Sequence, residues 1–119
     1  MERKIYILTE NLDEGVVHLW HIEAADKYVM ARNILENRDY FYEVFYNRRS
    51  GLYNWHKNKN GVNPLELLDA IANTYIDGDS LTRFQIHELD LQRAGALAKD
   101  VTFTSVEEIE VFKAKYHLA

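Results

Sequence analysis

Two short β-forming runs open the chain, separated by a stretch rich in turn residues. Ile5-Tyr6-Ile7-Leu8-Thr9 is built from β-branched and aromatic residues. Asn11-Leu12-Asp13-Glu14-Gly15 is turn chemistry, and Val16 to Glu23 is a second apolar run. Runs this close, joined by a five-residue polar loop, predict an antiparallel hairpin. In the second run Val16, His18, Trp20 and Ile22 fall on one face and Val17 and Leu19 on the other. A lone hairpin is at best marginal in water, so the rest of the chain must cover its apolar face.

The covering elements are legible from helical spacing and caps. Ala25 to Glu36 predicts a helix with Tyr28, Ala31, Ile34 and Leu35 inward and Met30 beside Ile34. Asp26 sits at its positive end, and Asn37 closes it. Asn63-Pro64 opens another helix: Asn63 is a good N-cap, Pro64 suits the first helical position and Glu66 lies in the first turn. Leu65, Leu68, Ile71, Ala72 and Tyr75 form its buried stripe over residues 64–76, and Gly78 stops it. Ser105 and Glu108 form a capping box for a last helix over 106–116, with Val106, Ile109, Phe112 and Tyr116 inward.

Leu81 to Leu89 reads as a strand with Phe84 and Ile86 inward. Residues 91–98 suit a short helix, and Val101 to Thr104 a last short strand. Asp39 to Asn47 reads two ways. As a helix it has Asp39 as N-cap and Phe41, Val44 and Phe45 as a stripe. As a strand it pairs with Leu52 to His56. The helix is preferred because Gly51 sits where a helix would end. Residues 57–63 form a polar loop.

The expected architecture is α+β: an antiparallel or mixed sheet of three to five strands beginning with the N-terminal hairpin, covered by three or four helices. One domain spanning 1–119 accounts for the length. Its expected core is Trp20, Ile22, Leu35, Leu68, Ile71, Phe84, Ile86 and Phe112. Hydrophobic residues make up 47% of the chain, enough for a core without staples. The chain has no Cys, so it has no disulfides, thiolate metal sites or Cys nucleophiles. No apolar run approaches the roughly 18 residues of a membrane helix. The first residues do not read as a signal peptide, because Glu10, Asp13 and Glu14 follow a short apolar stretch. A cytoplasmic protein with no membrane partner is the expectation.

Charge points to one segment. Residues 44–65 carry four cations and no acid, a charge of +4. The other ten cations and all nineteen acids lie elsewhere, leaving the remainder at −9. Within the segment Tyr46, Arg48, Arg49, Tyr53, Trp55, His56, Lys57 and Lys59 interleave with five Asn residues, and these eight are the candidate binding residues. Three uses fit the pattern. The aromatic rings can plug into this protein's own core. Trp, Tyr and Arg are also the residues that dominate protein interfaces. Cations on phosphates with rings stacked on bases hold single-stranded nucleic acid.

Other chemistry is thin. His18 and His21 are three apart on a strand, so they point to opposite faces and do not chelate one metal. Asp77 to Glu88 begins like a calcium loop, but the sixth position, which needs Gly, is Thr82. Ser50, Ser80 and Ser105 sit in no nucleophile elbow, and no Gly-rich phosphate loop exists. No metal or cofactor is expected. The favoured function is a non-catalytic binding or regulatory protein that meets a protein partner, or a second copy of itself, through residues 46–60. The alternative is a single-stranded nucleic-acid binder, or a small metal-independent RNase with His56 as acid or base, using the same segment.

Overall fold

A computed structural model of the chain describes residues 4–12, 15–37, 63–72, 83–89 and 98–118. They form four strands and three helices: β1 (Lys4–Leu12), β2 (Gly15–Ala24), α1 (Lys27–Glu36), α2 (Pro64–Ala72), β3 (Arg83–Leu89), β4 (Ala98–Asp100) and α3 (Val106–Lys115). The sheet is antiparallel throughout, in the order β2-β1-β3-β4. The expectations for 39–47, 57–62, 73–76 and Gly78 lie outside the described residues, as do residues 91–97 of the expected short helix at 91–98, whose last residue, Ala98, instead opens β4 opposite Leu89.

The N-terminal hairpin forms as the sequence implies, with Tyr6 opposite Ile22 and Leu8 opposite Trp20. Its ladder runs further than expected. Asn11 pairs with Val16 and Leu12 with Gly15, so the ladder takes in three of the five residues expected for the turn. Gly15 has φ of +128°, which a side chain rarely adopts, and this lets the ladder extend to that point. The register shifts between Glu10 and Asn11, and the expected alternation holds from Leu19 to Ala24. Trp20, Ile22 and Ala24 are buried there, while Leu19, His21 and Glu23 on the other face are exposed.

Strand parity assigns the faces. Tyr6, Leu8, Trp20, Ile22, Phe84 and Ile86 are buried on the helix-covered side, with the Trp20 and Phe84 rings stacked at 6.5 Å between centroids. Here α1 lies against β2, α2 lies against β3, and the two helices pack on each other. That sandwiching widens the buried arc of α2 to Leu67, Leu68 and Ile71, whereas Leu65 and Ala72 are only half-buried. The sequence reading missed Leu67. It also placed Leu35 in the core, but the residue is half-buried at the rim of α1. The other seven expected core residues are buried.

All three helix starts follow their cap residues. Asp26 Oδ1 accepts the Val29 N–H at 3.0 Å. Asn63 Oδ1 accepts the Glu66 N–H at 2.9 Å while its Nδ2 donates to Glu66 Oε1. Ser105 Oγ accepts the Glu108 N–H at 3.0 Å. Two expectations near the C-terminus fail. The last strand is Ala98–Asp100, not 101–104, because Thr102 replaces the ladder with its side chain: the Ile86 N–H donates to Thr102 Oγ1 at 3.0 Å. Val106 is 71% exposed, because α3 buries only Phe112 fully.

Candidate functional site

Every residue of the basic aromatic segment singled out above (Tyr46, Arg48, Arg49, Tyr53, Trp55, His56, Lys57 and Lys59) lies outside the described residues. Its anchor points are described. The segment leaves the C-cap of α1 at Asn37 and re-enters at Asn63, the cap of α2, so it bridges two helices that pack together.

Next to α2 the described residues form a groove of about 100 Å³. Leu65, Leu68, Asp69 and Ala72 make one wall, and Phe103, Thr104 and Ile109 the other. For scale, an apolar cavity of about 150 Å³ holds a benzene molecule. The groove therefore takes most of one bulky side chain. Phe103, at its edge, is 77% exposed, the highest value among the large hydrophobic residues described. Val106 adds further exposed apolar surface on the first turn of α3.

Phe103 is displayed on a firmly held backbone. Lys27, in the first turn of α1, is only 3% exposed. Its ammonium donates to Val101 O at 2.8 Å, to Phe103 O at 3.1 Å and to Thr104 Oγ1 at 3.0 Å, and meets Glu108 Oε2 at 3.3 Å. Burial pushes the Lys27 amine below its ordinary value, and the Glu108 carboxylate opposes that shift. On the other side Thr102 bonds Asp100 and Ile86. The sequence reading overlooked Lys27. The signal was present: Lys27 precedes Ala31 by four residues and Ile34 by seven, so it shares their inward face.

Asp26 ties both chain halves together. Beyond capping α1, its Oδ2 accepts the Tyr116 hydroxyl and the Lys115 ammonium, the latter at 3.1 Å. The Tyr116 ring stacks on Tyr28 at 4.4 Å, and Phe112 packs against Tyr28 from the same helix. Burial raises the Asp26 carboxyl, but the bonds from Tyr116, Val29 and Lys115 outweigh it and hold the group below its ordinary value. A carboxyl lowered in the fold binds fewer protons than in the unfolded chain. Its stabilisation is therefore complete above the unfolded pKa of about 4 and is lost as pH falls through the folded value. Urea midpoints of the wild type should fall on acidification below about pH 4, and less steeply in Asp26→Asn. Equal slopes for the two proteins would remove Asp26 from the acid response.

The two strand histidines take separate places. His21 is exposed opposite Ile7, while His18 is opposite Glu10, three register positions away. His87 pairs with Ile7 from the other side and with Asp100 across β4. Among the described residues no group of three His, Asp or Glu is arranged to hold a metal ion, and no helix is long and apolar enough to cross a membrane. Compared with known proteins, the chain matches no family model, no curated protein and no solved structure.

Proposed function

We propose that this chain is a small cytoplasmic, non-catalytic binding or regulatory protein whose working surface is residues 46–60. The partner is a protein with an acidic patch, or a second copy of the chain. The observation that carries this reading is the charge segregation: +4 over residues 44–65 on a chain that is otherwise −9. The interleaved Trp55, Tyr53, Arg48 and Arg49 are the residue types that concentrate binding energy at protein interfaces. The acidic remainder favours a protein partner over nucleic acid, because a nucleic-acid binder usually presents a basic face.

Salt separates this reading from its rival. The purified chain, titrated with a random single-stranded oligonucleotide near physiological ionic strength, should bind weakly or not at all. Tight binding that collapses with added salt would reverse the assignment, since each neutralised phosphate releases a counterion. In that case Arg48→Ala, Arg49→Ala, Lys57→Ala and Lys59→Ala would each flatten the salt slope by up to about one unit. Residual hydrolysis of the oligonucleotide, abolished by His56→Ala, would point instead to the RNase.

A further inference from the structure

Three consecutive residues hold the C-terminal helix. Among the described residues, every hydrogen bond, ion pair and ring contact that residues 105–118 make outside their own segment goes to Asp26, Lys27 or Tyr28. Lys115 and Tyr116 meet Asp26, Glu108 meets Lys27, and Phe112 and Tyr116 meet the Tyr28 ring. Apolar packing adds Phe112, the one fully buried residue of α3, with Tyr116 and Leu118 half-buried against the core. Towards α2 the seam is not filled. The groove of about 100 Å³ lies there, with Ile109 in one wall and Leu65, Leu68 and Ala72 in the other. The chain ahead of α3 is pinned up to Thr104: Thr102 bonds Asp100 and Ile86, and Lys27 holds Val101 O, Phe103 O and Thr104 Oγ1. A pivot at Ser105 swings α3 outward and leaves β4 in place.

We infer that α3 is a hinged strap that opens as one unit about Ser105, released from a catch at residues 26–28, while the four strands, α1 and α2 stay folded. The physical balance favours such an opening. Lys115 and Glu108 are exposed enough to return to water, so parting their ion pairs costs little. Lys27 keeps its three oxygen partners when Glu108 leaves. The main cost is the uncovering of Phe112 and of the Tyr28–Tyr116 stack. The sheet is held differently: β1 is paired on both sides, and Leu8 and Ile86 are fully buried. Segments with few buried apolar contacts open below the global transition. Opening bares the Tyr28 ring and the wall of Leu65, Leu68 and Ala72 on α2, so the strap controls access to that surface.

Native-state hydrogen exchange of the full chain, repeated at low urea concentrations, tests this. Amides 109–115 should share one protection level, about tenfold or more below the best-protected amides of β1 and β3, with a shallower urea dependence. Two variants make the test specific. Phe84→Leu alters the Trp20–Phe84 stack, upstream of the part of β3 that pairs with β4. It should lower protection in β1 and β3 and leave α3 unchanged, because the open state keeps the sheet. Tyr116→Phe removes only the hydroxyl given to Asp26. It should lower protection across all of 109–115 by about tenfold, and that of the sheet by the same factor, because docked α3 belongs to the native state. Equal protection and equal urea slopes in α3 and the sheet would overturn the inference. So would a parallel loss in α3 on Phe84→Leu. Protection graded from Tyr116 inward, with Ile109 indifferent to Tyr116→Phe, would mean fraying of the helix end and would overturn it too.

Discussion

Lys27→Met should lower the unfolding free energy by about 3 kcal/mol, read from urea denaturation at neutral pH. The substitution keeps the length and apolar stem of the side chain and removes only the ammonium. Left behind are Val101 O, Phe103 O and Thr104 Oγ1, which now receive bonds of 2.8 to 3.1 Å. An acceptor orphaned away from water costs about 1–3 kcal/mol, and the half-buried Val101 carries more of the loss than Phe103, which is 77% exposed. Glu108 contributes less, because it is 40% exposed and regains water. The damage should also be local. Hydrogen exchange at residues 102–105 should accelerate beyond the global change, because these bonds fix that backbone. Stability within about 0.5 kcal/mol of wild type, far below the 1–3 kcal/mol of an orphaned acceptor, would show that the segment is held by something else.

Leu68→Ala and Ile71→Ala should each cost roughly 2–5 kcal/mol. Both side chains are 1% exposed, on a helix gripped between β3 and α1, so the space they vacate has little freedom to collapse. Leu67→Ala belongs in the same range, since Leu67 is 0% exposed. Leu65, half-buried at the groove, should be distinctly more tolerant. A loss below about half a kilocalorie per mole at both Leu68 and Ile71 would mean that the buried face of α2 is misassigned.

Local rules carried much of this fold. Asp26, Asn63 and Ser105 each cap the helix their side-chain chemistry suits, and these caps depend on neighbours within four residues. The hairpin is equally local. What the sequence concealed depends on distant partners. Leu67 is buried because α1 packs beside α2, and nothing in residues 64–72 records that neighbour. The expected strand at 101–104 gives way because Thr102 and Lys27 satisfy the backbone in place of a ladder. Val106 follows the helical spacing of Ile109 and Phe112, yet Phe112 is the one residue of α3 that is fully buried, and Val106 on the first turn stays in water. The groove shows the same limit: its walls come from residues 65–72 and 103–109, and only tertiary structure brings them together. The basic aromatic segment was visible from composition alone, because charge segregation needs no geometry.

The most direct test of the functional account is a capture experiment from native lysate, with the wild-type chain and Trp55→Ala as baits, each with and without nuclease treatment. The account predicts a stoichiometric protein, this chain itself included, that survives nuclease with the wild type and is lost with Trp55→Ala. Loss of all captured material on nuclease treatment, or equal capture by Trp55→Ala, would contradict it.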